Sequence, residues 1–330
     1  MSVQPFDSLH EDLIHDVAYD FYGKRFVTCS SDQKLKVWEF SQDTNNWELV
    51  DSWKAHESSI LKVAWAHPEF GQVIASCSFD RSIRIWEEQE HELKNSGKRW
   101  LEKARLIESK GSVQDIAFAP NFLGLRLASI AADGVLRIFE ALEVSNLAHW
   151  TLMDEVHVHV SRSSNPPAFK EAEENYCLSW CPSRYQSPMI VIGCGKENNA
   201  RIFRCDQNNK WRPCEVLDGH EDLVNDVDWA PNMGRSYHLI ATASKDHRVR
   251  IYKLLSNKDG FKVELVADLN DHRTEVWKVK WNVTGTILSS AGDDGKVRLW
   301  KAGNKAENEE GFKCIGIVCN DRQSNDTMEI

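Results

Sequence analysis

Four things are missing from this sequence of 330 residues. No apolar run approaches the ~18 residues of a membrane-spanning helix, so insertion into a bilayer is not expected. The start, MSVQPFDSLHEDL, has no apolar core after a basic beginning, so a secretory leader is not expected there. The nine cysteines contain no C-x-x-C and show no pairing rhythm, so they are expected to be free, mostly buried thiols in a reducing compartment. The formal charge is −10 and the basic residues are scattered, with Lys98-Arg99 the longest local cluster. A nucleic-acid groove would need a basic stripe, so protein partners are expected and direct nucleic-acid contact is not. The sequons at Asn282 and Asn325 then read as chance matches.

Aromatic residues are plentiful, with 13 Trp and 13 Phe, and they recur in step. The stretch His272 to Trp300 alternates apolar and polar residues and is broken by corners at Thr284-Gly285 and Asp294-Gly295. Alternation with such corners predicts antiparallel strands joined by hairpins. The unit recurs six times. Acid and strand-ending aromatic pair as Asp32/Trp38, Asp80/Trp86, Asp133/Phe139, Glu197/Phe203, Asp246/Tyr252 and Asp294/Trp300. Four residues before each acid stand Thr28, Ser76, Ser129, Gly193, Thr242 and Ser290. Nine residues before the first-strand aromatics Tyr19, Trp65, Phe118, Trp180, Trp229 and Trp281 stand His10, His56, Ser109, Glu171, His220 and His272. A period of about fifty residues with this pattern predicts an all-β, six-bladed WD-repeat β-propeller. One propeller domain over 1–320 and a polar tail over 321–330 are expected.

The His, Ser/Thr, Asp and Trp quartet could be a nucleophilic triad or a buried hydrogen-bond chain. A catalytic constellation should occur once, whereas this one keeps its His in four copies and weakens in the fourth repeat, so the quartets are expected to hold blades together. No phosphate-binding Gly loop, metal cluster or unique nucleophile stands out, so neither enzyme chemistry nor a cofactor is expected. His157 and His159 share one strand face without a third ligand nearby and read as an edge pair. The run EEQEHELKNSGKR reads as a solvated loop, and Ser161 to Asn175 as a long polar one.

Outer strands are expected near Trp47–Trp53, Trp100–Ile107, Thr151–Val160, Trp211–Leu217, Phe261–Leu269 and Phe312–Cys319. The last blade therefore owns its outer strand, and the N-terminus has almost nothing left to donate. A ring built this way lacks the usual covalent interlock and can stay open, its bare faces open to a strand or blade from a partner. A closed ring held by packing is the alternative. The expected gap residues are Val3, Phe6, Leu13 and Ile14 on one side, with Phe312, Ile315 and Ile317 on the other.

Beyond the repeat pattern, QPFDSLHEDLIHDVAYDFYGKRFVTCSSDQKLKVW, SWKAHESSILKVAW, DGVLRIFEALEVSNLAHWTL and YCLSWCPSR resemble the Seh-type WD-repeat nucleoporins of fungi, over nearly the whole chain. The resemblance implies a scaffold subunit of the Y-shaped nuclear pore subcomplex, whose open ring is completed by a blade from a helical nucleoporin. It also implies a place in the SEA (GATOR-type) complex at the vacuole or lysosome membrane, in TOR nutrient signalling. The alternative function is a peptide-reading WD adaptor of a chromatin or ubiquitin-ligase complex, which would need a ring of Arg and aromatic residues that the sequence does not display clearly.

Overall fold

The computed structural model describes residues 6–159, 175–257, 260–303 and 311–319. Every regular element longer than a 3-10 turn among them is a strand. Twenty-four strands form six four-stranded antiparallel sheets, each of four consecutive strands. This is the all-β, six-bladed propeller fold. Blade one is β1 (Ile14–Tyr19), β2 (Arg25–Ser30), β3 (Lys34–Ser41) and β4 (Asn46–Lys54). Blade two is β5 (Ile60–Trp65), β6 (Val73–Ser78), β7 (Ile83–Glu88) and β8 (Trp100–Leu106). Blade three is β9 (Val113–Phe118), β10 (Arg126–Ala131), β11 (Val135–Ala141) and β12 (Trp150–His157). Blade four is β13 (Tyr176–Trp180), β14 (Met189–Cys194), β15 (Asn199–Cys205) and β16 (Trp211–Leu217). Blade five is β17 (Val224–Trp229), β18 (Tyr237–Ser244), β19 (Val249–Asn257) and β20 (Gly260–Leu269). Blade six is β21 (Val276–Trp281), β22 (Ile287–Gly292), β23 (Lys296–Ala302) and β24 (Phe312–Cys319). All six outer strands lie where the alternation placed them.

The chain divides into two compact units, one built on Phe6–Tyr176 with Gln207–Trp211, the other on Cys177–Asp206 with Arg212 onward. In the first, blade one packs on blade two through Val27, Cys29, Leu35 and Val37 against Ile60 and Val63. Blade two packs on blade three through Ala75, Cys77, Ile83 and Ile85 against Val113 and Ile116. In the second unit, Ala241, Ala243, Val249 and Ile251 of blade five meet Val276 and Val279 of blade six.

One rule runs through these junctions. The first strand of a blade presents two branched aliphatic residues, three apart, to small and aliphatic residues on the two middle strands of the blade before it. Residues three apart share a face only if the strand is bulged, because alternation has period two. A register shift between exactly those positions occurs at Ile14/Asp16, Ile60/Lys62, Val224/Asp226 and Val276/Lys278, and opposite Val113/Asp115. Each branched side chain buried this way contributes about 1.5–3 kcal/mol.

The run expected as a solvated loop over 87–99 starts inside β7, where Glu88 is buried between Arg25 and Arg99, and only from Gln89 onward is it a largely exposed loop, which is tethered. Asn95 donates its backbone N–H to the Val50 carbonyl at 2.9 Å, and Lys94 reaches Glu39. Of the nine free cysteines, six are buried, including Cys29 and Cys77, while Cys314 and Cys319 are exposed. Val3, most of the loop expected over 161–175 and the tail over 321–330 lie outside the described residues.

Candidate functional site: bare faces on the first and last blades

The quartets close as hydrogen-bond chains. His10 bridges Asp32 (Nδ1 to Oδ2, 2.7 Å) and Thr28 (Nε2 to Oγ1, 2.8 Å), and the Trp38 indole donates to the same Oγ1 at 3.2 Å. His56 joins Asp80 and Ser76 at 2.9 and 2.8 Å, with Trp86 donating to Ser76 at 3.0 Å. His272 joins Asp294 and Ser290 at 3.1 and 2.7 Å, with Trp300 donating to Ser290 at 2.8 Å. In blade five His220 holds Asp246 and Thr242 at 2.8 and 2.7 Å, but Tyr252 departs from the expected pattern. Its hydroxyl passes the threonine and donates to the Asp218 carbonyl at 3.0 Å.

Burial and hydrogen bonding shift the imidazoles and carboxyls of these chains. Burial is the largest influence on the His56 imidazole and pushes it below its ordinary value, against the pull of Asp80. Burial also pushes the Asp246 carboxyl up, but hydrogen bonds from His220 and the backbone of Glu221 and Arg248 outweigh it and hold the group at about 2. In these four blades each hydroxyl accepts from an indole or is engaged by the imidazole.

Two features of the repeat escaped sequence reading. A cation stands four residues after every acid: Lys36, Arg84, Arg137, Arg201, Arg250 and Arg298. In blade three, which has Ser109 where blades one, two, five and six have His, Arg137 is buried and takes that role, with Nη2 2.7 Å from Asp133 and Nε 2.8 Å from Glu155. In blade four, alignment on the acid slips by one residue. Ile192 stands opposite Arg201, as Ser76 stands opposite Arg84, so Ile192 and not Gly193 occupies the hydroxyl position. Gly193 instead faces blade five, where an added Cβ would lie 2.4 Å from Cys177 Sγ and 3.1 Å from Val224 Cγ1.

The junction rule fails on one face of blade one and one face of blade six. Ile60, Val63, Val113, Ile116, Val224, Val227, Val276 and Val279 are all 0–2 % exposed, whereas their counterparts in β1, Ile14 and Val17, are 45 % and 49 % exposed. The receiving positions are bared likewise. Ala241, Ala243, Val249 and Ile251 of blade five are fully buried; the same places in blade six hold Ser289, Ala291, Val297 and Leu299, partly exposed, with Val297 at 37 %.

The residues expected around a gap fall on these faces unequally. Ile14 is a docking position, and Leu13 beside it is exposed. Phe6 packs edge-on against Trp38 at 5.2 Å and against Phe26 at 5.8 Å. It does for Trp38 what Trp53 of blade one does for Trp86, which it meets edge-on at 5.6 Å. Phe312 packs on Trp281, and Ile315 and Ile317 are each 54 % exposed on the outer strand. Val17, Ala291, Val297 and Leu299 were not anticipated, although reading the positions two and five residues before each first-strand aromatic would have found Val17.

Comparison with known proteins identifies the repeat and its relatives. The WD domain, G-beta repeat family matches residues 5–39, 47–87, 211–253 and 263–301, leaving out blade three and the first three strands of blade four. The chain is 43 % identical to nucleoporin Seh1 of Schizosaccharomyces pombe over 96 % of both chains. It is 43 % identical to the Saccharomyces cerevisiae Seh1 nucleoporin over 96 % of this chain and 99 % of that one. The human Seh1 nucleoporin matches at 43 % over 94 % of this chain and 86 % of its own length.

Proposed function

This chain belongs to the Seh1 family of WD-repeat nucleoporins, and we propose that it is a non-enzymatic scaffold subunit of the nuclear pore that accepts a blade from a helical nucleoporin of the Y complex. One observation carries the reading: Ile14 and Val17, with Val297, lie exposed at positions that are buried at the described junctions within each unit. Bare branched aliphatics on a blade face fit capture of a further blade, since burying them returns the same free energy that holds blades to one another. The same faces would serve the SEA complex at the vacuole membrane, where a helical subunit of like construction would donate its own blade.

Affinity purification of the tagged protein at raised salt, with stoichiometric partners identified by mass spectrometry, tests this. A helical nucleoporin at one-to-one ratio, with or without SEA subunits, is the expected result. Ile315→Asp with Val17→Asp should release it while the propeller stays folded. Recovery of the chain alone, or with histone or ligase subunits, would instead favour a peptide-reading adaptor.

A further inference from the structure

In three blades the cation four residues after the quartet acid meets a carboxylate of the outer strand. Arg84 lies 3.1 Å from Glu102, and Arg250 lies 3.3 Å from Asp268. Arg137 divides its guanidinium, with Nη2 2.7 Å from Asp133 of its own quartet and Nε 2.8 Å from Glu155 of the outer strand. In blade five Asp268 also takes Arg248, at 3.0 Å. Blade one differs, with Lys36 opposite Ser52 and 3.4 Å from the Ser8 carbonyl, and in blade four Arg201 pairs with Glu197.

Blade six keeps the cations and lacks the acid. Arg298 stands opposite Ile317, and β24 contains neither Asp nor Glu. Arg298 is buried, and through Nη1 it meets Asp294 and lies 2.7 Å from His272 Nδ1. Its Nε and Nη2 make no hydrogen bond among the described residues. Lys296, the counterpart of Arg248, is exposed, as is Arg273, and neither forms an ion pair among the described residues. The three cations line a cavity of about 510 Å³; Asp271, which also lines it, is exposed and pairs with none of them. The Nε/Nη2 edge of a guanidinium takes a carboxylate with two parallel hydrogen bonds.

We infer that this cavity binds a carboxylate, the Asp or Glu side chain of the captured partner, on Nε and Nη2 of Arg298 with Lys296 beside it. The inference rests on the proposed capture of a blade and assigns a polar contact next to it. Charge complementarity favours this occupant, since Glu102, Glu155 and Asp268 supply in their own blades what blade six lacks. Continuity favours it too: Val297 of the bare face lies between Lys296 and Arg298 in β23, so cavity and face share one strand.

Zero-length carbodiimide coupling of the purified assembly, mapped by mass spectrometry, tests this, because it joins an amine to a carboxylate in contact with it. The expected product joins Lys296 to an Asp or Glu of the partner. Lys296→Glu breaks no ion pair of the described residues and should leave Tm unchanged. It should weaken partner binding about fivefold at low salt and less at high salt. Changing the coupled partner acid to Lys should then restore binding. A link from Lys296 to Asp271 or to residues 320–330 of this chain, no link at all, or unchanged affinity of the variant would overturn the inference and leave blade capture standing. A parent protein that purifies without a helical partner would overturn both.

Discussion

Val17 and Val63 occupy the same place in the first strands of neighbouring blades, yet one is 49 % exposed and the other 1 %. The difference lies in what covers them. Val63 sits on Val27, Cys29, Leu35 and Val37 of blade one, whereas Val17 is left half exposed. The same chemistry at the two positions therefore serves two purposes, cohesion within the chain and adhesion beyond it.

A paired substitution separates these purposes. Val63→Asp buries an unpaired carboxylate between blades and should cost about 4 kcal/mol or more. Val17→Asp should stay within about 0.5 kcal/mol of the parent, as surface changes do. Urea unfolding reads the stabilities, and a pull-down of the partner reads adhesion, which Val17→Asp should abolish. Equal destabilisation by the two would mean that Val17 is covered within the chain.

Arg137 offers a second test. Arg137→Ala strands Asp133 as a buried carboxylate without its ion pair, at a cost of about 3–5 kcal/mol. Asp133→Asn combined with Arg137→Met removes both charges and should recover most of that loss. Denaturant midpoints of the parent and the two variants decide the matter. An Arg137→Ala protein as stable as the parent would show that the pair does not hold blade three.

Acid should unfold the protein in two stages. His10, His56 and His272 have folded pKa values below the ordinary 6.5, with burial the largest cause in each. The unfolded chain therefore binds more protons just below that value, and this part of the stability, present above pH 6.5, is lost as pH falls through the folded values. The carboxyls of Asp32, Asp80, Asp246 and Asp294 are depressed, Asp246 to about 2, by their hydrogen bonds against the opposing effect of burial. Their contribution persists above about pH 4 and is lost below it. Tm should fall gently from pH 7 to 5 and steeply below 4. Replacing His10, His56 and His272 with Gln should flatten the first stage alone; an unchanged slope would contradict it.

Much of this was readable from residues. Alternation, the corners and the recurring aromatics placed the six repeats and their outer strands, because a blade that must bury both faces leaves its period in the sequence. The quartets were readable for the same reason, except at Tyr252, where a phenol is longer than the hydroxyl contact requires, and in blade four, where one residue of slip hid Ile192. The bare faces were harder. Val17 and Val63 are the same amino acid in the same motif, and only the surroundings tell them apart. Sequence reading therefore reached for residues near the chain ends, such as Phe6 and Phe312, both of which pack on aromatics of their own blade.

Hydrogen exchange of the protein, alone and in its purified assembly, tests the central claim most directly. Amides of Ile14–Tyr19 and Lys296–Ala302 should exchange faster in the isolated chain than those of the equivalent strands Ile60–Trp65 and Val249–Asn257. In the assembly both segments should become as protected as those equivalents. Unchanged exchange in both segments with the helical partner bound at full occupancy would mean that it sits elsewhere, and that these faces do not receive a blade.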